Sequence, residues 1–142
     1  MSIKTFQHSL QVLRSELIPA ADRLCRLVED LGSNVPDGVP GEDAEQFSWD
    51  LEKLQKEAPA FREGIEEWFA DAHFKEGESA DVMRKSRHDA RNQLNHLFGT
   101  IQLMQMLPCS PDFIERSREI VGVLESCLSL VSGSAAIAEE KE

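Results

Sequence analysis

The chain contains no tyrosine and few of the β-branched runs from which sheets are usually built. Its 142 residues are enough for one domain with a core, but too few for a helical bundle together with a separate nucleotide-binding domain. The apolar fraction of 41% and the charged fraction of 29% are ordinary for a globular protein. Because strands favour aromatic and β-branched residues, this composition favours an all-α protein.

Positive charge is scarce as well. The chain has 15 Lys and Arg residues but 26 Asp and Glu residues, so its formal net charge is -11. Proteins that bind nucleic acids or anionic membranes generally need a cationic surface that displaces counterions. The charge balance therefore argues against both kinds of partner.

Long apolar runs and paired cysteines are also missing. No stretch approaches the roughly 20 apolar residues of a membrane span, and the first residues are not followed by the apolar core of a signal peptide. We therefore expect a cytoplasmic protein. The three cysteines, Cys25, Cys109 and Cys127, form no metal-binding pattern, so we expect reduced thiols and no metal or other cofactor. Cys25 and Cys127 are interpreted as small core residues.

Apolar residues recur every three or four positions in two segments of the first half, which predicts two amphipathic helices. The first runs from about Thr5 to Leu31, and a loop rich in Pro and Gly follows over 35–41. The second spans about Asp43 to Phe74, and Pro59 is expected to kink it. The inward-facing residues are Leu10, Leu13, Leu17, Ala21, Leu24, Val28 and Leu31 in the first helix, and Phe47, Leu51, Leu54, Ala58, Phe61, Ile65, Trp68 and Phe69 in the second.

The second half repeats this arrangement. A third helix is predicted to begin at Ser79 as its N-cap and to end before Pro108. Ser110 and Pro111 then supply an N-cap and a first-turn proline for a fourth helix, which extends to about Val131. The inward-facing residues are Met83, Arg87, Ala90, Leu94, Leu97, Ile101 and Met104 in the third helix, and Phe113, Ile120, Leu124, Cys127 and Val131 in the fourth.

Residues 1–134 are therefore predicted to form a single domain, an all-α four-helix bundle. It consists of two helical hairpins, over 5–76 and 79–132, and residues 135–142 are predicted to be a flexible acidic tail. Each hairpin would bury the apolar stripes of the other.

The two hairpins can be aligned as a divergent repeat, in which Leu10 falls on Met83 and Phe47 falls on Phe113. Such a repeat would form a pseudo-dimer within one chain, although any two amphipathic hairpins can be aligned on their stripes. A homodimer built through the same stripes satisfies the pattern equally well. In this alignment His88 falls on Ser15, so the first hairpin would lack a histidine at that position.

A histidine on the third helix stands out because of its neighbours. His88, Arg91, Asn92 and Asn95 share one flank of the helix, since residues three and four apart are neighbours. Asp89 follows His88 directly, where a carboxylate could orient the imidazole or accept a proton from one of its nitrogens. His88 is therefore a candidate nucleophile with Asp89 as its acid–base neighbour.

Four cations surround this histidine in an otherwise acidic chain: Arg84, Lys85, Arg87 and Arg91. Such a cluster would hold an incoming phosphoryl group or dock against an acidic pocket of a partner protein. We expect Arg84, Arg87, Arg91 and Asn95 to contact that partner. The alternative is that the histidine and the short basic run are an ordinary solvated helix face.

The segment Arg87–Asn95 resembles the H-box of bacterial sensor histidine kinases. The pattern of that family is His, an acidic residue, two variable residues, Thr or Asn, Pro, Leu and commonly Asn. The chain matches it at His88, Asp89, Asn92, Leu94 and Asn95. It departs at Gln93, where the family usually has a proline that bends the helix. The hairpin from Val82 to Val131 is also similar to the dimerisation and histidine phosphotransfer domain of these kinases.

This resemblance implies a role for each matched residue. His88 would be the phosphoacceptor, Asp89 its acid–base neighbour, and Asn92 the amide that positions water in phosphatase chemistry. Kinases of the family also carry an ATP-binding domain with Asn- and Gly-rich boxes, and nothing after Val131 could supply one. Autophosphorylation from ATP is therefore not expected of this chain alone.

Three functions follow as hypotheses. The first is a two-component phosphorelay protein of bacteria, in which His88 exchanges phosphate with the aspartate of a response-regulator receiver domain. The second is a non-catalytic, kinase-like dimerisation or scaffold domain, which could belong to a larger signalling protein. The third is a response-regulator phosphatase in which Asn92 matters more than His88.

Overall fold

A computed structural model of the chain describes residues 3–34, 44–71, 79–107 and 110–134. These residues contain four helices and no strand, so the all-α prediction is confirmed. The predicted loop at 35–41, residues 72–78, Cys109 and the predicted tail at 135–142 lie outside the described residues. The helices are α1 (Ile3–Asn34), α2 (Ala44–Asp71), α3 (Ser79–Gln105) and α4 (Pro111–Gly133).

The helices pack in a ring. Each packs against its neighbours in the chain, α1 also packs against α4, and within the described segments the diagonal pairs make no backbone contact. Neighbours run antiparallel, as shown by Trp68 near the end of α2, whose indole Nε1 lies 3.1 Å from the Sδ of Met83 near the start of α3. The predicted four-helix bundle, built from the hairpins α1–α2 and α3–α4, is confirmed.

The core is made of the predicted apolar stripes, which bury one another inside a single chain. Every described position that was predicted to face inward is buried, except for Phe69 and Arg87, which are half-buried. Phe69 stacks on Trp68, with ring centroids 5.2 Å apart. Arg87 lies at the edge of the core, where its long aliphatic stem can pack against apolar side chains.

Phe47 of α2 and Phe113 of α4 meet edge to face across the core, with ring centroids 5.1 Å apart. These are the two phenylalanines that the repeat alignment places on each other. Both side chains are almost fully buried, and an edge-to-face arrangement suits the quadrupoles of the rings. The contact stabilises one end of the bundle, while the duplication itself stays a prediction.

The ends of the helices follow the polar and proline residues. The hydroxyl of Ser110 accepts a hydrogen bond from the backbone N–H of Phe113 at 3.2 Å, and Pro111 occupies the first turn, as predicted for α4. Helix α2 runs through Pro59 without interruption, and α1 likewise includes Pro19. None of the helices, over the described residues, has an apolar stretch long enough to cross a bilayer.

Ion pairs connect α1 to both of its neighbours at the surface. Arg62 of α2 pairs with Asp22 of α1, and Arg116 of α4 pairs with Asp30 of α1. The Arg62 guanidinium donates hydrogen bonds to Asp22 and Glu66, and these bonds raise its pKa, so this side chain is cationic at neutral pH. These pairs add specificity to a packing that the apolar stripes already determine.

Candidate functional site

The register of α3 places His88 on the outer surface of the bundle. Ala90 and Leu94 are buried, and they fix which side of the helix faces the core. Two residues correspond to about 200° of rotation around a helix, so His88 leaves α3 on nearly the opposite side from Ala90. The imidazole is exposed to solvent, and a second protein can therefore reach it.

The side chain of Asn92 contacts the imidazole one turn further along α3. Its Nδ2 lies 3.3 Å from the Nε2 of His88, and both residues are exposed. An amide nitrogen can only donate a hydrogen bond, so this contact requires Nε2 to accept with its lone pair. When Asn92 donates to Nε2, the ring proton lies on Nδ1 and Nε2 has the lone pair that a nucleophile needs.

Asp89 does not share this arrangement. It follows His88 in sequence, but one residue turns the helix by about 100°, so the two side chains leave α3 in different directions. Asp89 is exposed, and along the described part of α3 its carboxylate makes no hydrogen bond with the imidazole. The acid–base role of Asp89 stays a prediction.

Arginine and asparagine side chains extend the site along the same side of α3. Arg84, Arg91 and Asn95 are all exposed, and their spacing of four, three and four around His88 puts them on its flank. Lys85 is also exposed and lies three residues before His88, so it shares this flank. The structure therefore gathers one imidazole, two amides, two guanidinium groups and one ammonium group on one helix face.

Arg87 has a different environment from the other cations. It is half-buried at the edge of the core, and its Nη1 is buried without a hydrogen-bond partner in the described structure. An unsatisfied buried donor is unusual and costs free energy.

At Gln93, where the family pattern usually has proline, α3 continues as a regular helix. Gln93 is half-buried and faces Gly64 of α2, where an added Cβ would lie 3.3 Å from its Oε1 atom. The side-chain amide thus packs against the backbone of the neighbouring helix. Our sequence reasoning missed this close approach, although a glycine inside the second apolar segment was a signal for it.

The two cysteine thiols on the described residues are suppressed as nucleophiles. Burial raises the pKa of the Cys127 thiol to about 11 and also raises the pKa of Cys25, which lies near Asp22. Both thiols therefore stay protonated and unreactive at neutral pH. Within the described ranges, no cluster of three or more His, Cys, Asp or Glu residues could hold a metal ion.

Comparisons of the chain with protein-family models, with curated proteins and with solved structures found no match. The resemblance to the histidine-kinase H-box thus rests on the motif residues themselves. The geometry around His88 has to support any functional conclusion.

Proposed function

We propose that this chain is a phosphorelay protein, in which His88 exchanges a phosphoryl group with the aspartate of a response-regulator receiver domain. The observation that carries the proposal is the exposed imidazole of His88, whose Nε2 lies 3.3 Å from the side-chain amide of Asn92. This arrangement leaves a nucleophilic nitrogen on a surface that a partner protein can approach.

Phosphoryl transfer requires this chain only to position its imidazole against the phosphorus of the partner. The lone pair of Nε2 attacks the phosphorus of an aspartyl phosphate on the partner, an N–P bond forms, and the bond from phosphorus to the aspartyl oxygen breaks. The aspartate leaves as a carboxylate with the electron pair, and the proton on Nδ1 stays in place. The reverse reaction returns the phosphoryl group to a second receiver domain. No ATP is consumed by this chain.

Asn92 has two parts in this scheme. In the resting protein its amide holds the imidazole in the tautomer that leaves Nε2 unprotonated. When the phosphorus approaches, Nε2 exchanges this contact for the new bond, and the amide is free to donate to a phosphoryl oxygen. Asn92 therefore acts both before and during transfer.

The charges on this face suit the same partner. Arg84 and Arg91 flank His88 at one turn on either side and are exposed, in a chain whose net charge is -11. A receiver domain presents an acidic pocket with a divalent metal around its aspartate. A local cationic patch on an acidic protein orients the encounter, because the rest of the surface repels that pocket.

The test is phosphotransfer from a panel of purified receiver domains, each phosphorylated with a small phosphodonor. We expect acid-labile label on the wild-type chain from at least one receiver and none on His88→Ala. Circular dichroism of the variant should be unchanged, because His88 is exposed. Equal label on the wild type and on His88→Ala would contradict the proposal.

A phosphatase is the second candidate. The exposed side-chain amide of Asn92, next to His88, favours it. An amide at this position could align a water molecule for attack on the partner's aspartyl phosphate. In that case Asn92→Ala would abolish dephosphorylation of the receiver, and His88→Ala would preserve it. If neither variant changes the fate of a bound, phosphorylated receiver, the chain acts as a scaffold.

A further inference from the structure

The outward face of the C-terminal half of α3 has no charge. From Asn92 to Pro111 the sequence contains no Asp, Glu, Lys or Arg, and no other run in the chain is as long, although 29% of all residues are charged. We propose that this face binds a second copy of the chain, through a twofold contact between the two α3 helices.

Three residues define the proposed contact: Gly99, Leu103 and Met106. Gly99 and Leu103 are four residues apart on one side of α3, and Met106 follows three residues later in the turn that directly continues the helix. Leu103 is 58% exposed and Met106 is 80% exposed. Gly99 is also exposed, and an added Cβ there would meet no atom within 4 Å. Depletion of charge together with exposed methionine is typical of the centre of a protein interface.

The spacing makes this face complementary to itself. If two α3 helices cross antiparallel near Leu103, the Met106 side chain of each copy faces the open surface above Gly99 of the other. Methionine is unbranched and flexible, so it fills such a gap well. Twofold symmetry produces this contact twice. A glycine in an exposed helix lowers the stability of the helix. The close approach of a second helix would explain why glycine occupies position 99.

Electrostatics select the same face for self-association. Each copy has a net charge of -11, so two copies repel one another unless they meet where acidic residues are absent. The uncharged face satisfies this condition along its whole length. His88 lies about 16 Å from Gly99 along the helix axis, so a dimer of this kind leaves the imidazole open.

The experiment is sedimentation velocity of the full chain between about 0.01 and about 1 mM, the range of weak association expected for one helix face. We expect a monomer–dimer equilibrium that strengthens as salt is added. Leu103→Asp places two like charges near the twofold axis and should raise the dissociation constant by at least about tenfold. Val12→Asp is the matched control, because Val12 is 46% exposed on α1.

Gly99→Ala gives a second, independent readout. The added methyl group meets no atom within the monomer, so the variant should fold and unfold at a higher temperature. The same methyl group occupies the surface that Met106 of the second copy needs, so dimerisation should weaken. A wild-type chain that stays monomeric across the range would overturn the proposal. So would a dimer that Val12→Asp weakens as much as Leu103→Asp does.

Discussion

Replacing Leu94 by alanine tests the register of α3, on which the position of His88 depends. Leu94 is fully buried, two residues after Asn92. Leu→Ala substitutions at such positions remove transfer free energy and leave a cavity, at a cost of roughly 2–5 kcal/mol. Because domains of this size are stable by only about 5–15 kcal/mol, this one change should remove a large share of the stability.

The matched control is Leu103→Ala in the same helix. Leu103 is 58% exposed, so the same substitution should change the stability by no more than about 0.5 kcal/mol. Helix propensity changes equally in both variants and cancels in the comparison. Urea unfolding followed by circular dichroism at low micromolar protein measures both values. Equal costs at the two positions would refute the register, and with it the exposed position of His88.

Three other perturbations test the packing and the electrostatics. Stability should fall by about 2 kcal/mol between pH 9 and pH 11, because the unfolded Cys127 thiol ionises from about 9 whereas burial raises its folded pKa to about 11. The fall should be much smaller in Cys127→Ala when unfolding is measured across that range. Asp22→Asn should lower the unfolding temperature less than Leu94→Ala does, and about 1 M salt should remove most of the difference from wild type, because the pair of Asp22 with Arg62 is at the surface. Gly99→Ala should raise the free energy of unfolding by about 0.5–1 kcal/mol in urea titrations, and a loss of stability would show that the site is not open.

Most of the fold could be predicted from local sequence. Leucines spaced by three and four predict a helix and its buried side at the same time, because both follow from 3.6 residues per turn. The N-cap at Ser110 was also readable, because a serine followed by proline sets a helix start by local geometry alone. The flank shared by His88 and Asn92 follows from the same periodicity, and the structure adds the contact between them.

Other features depend on how distant parts of the chain meet. The ring of four helices within one chain was one of two arrangements that satisfied the stripes, and only tertiary packing separates it from a homodimer. The fit of Gln93 against Gly64 joins two helices, and periodicity within one helix contains no information about it. The direction of the Asp89 side chain follows from helix geometry. A sequence motif does not show it, because residues that are adjacent in the motif point in different directions on a helix.

The most direct test of the central account is to locate the phosphoryl group. Wild type, His88→Ala and His96→Ala are incubated with the same phosphorylated receiver domain, and acid-labile label on each chain is quantified. His96 is a suitable control, because it is an exposed histidine two turns further along the same helix. We expect wild type and His96→Ala to be labelled equally and His88→Ala to remain unlabelled. Label that persists in His88→Ala, or that disappears in His96→Ala, would contradict this expectation.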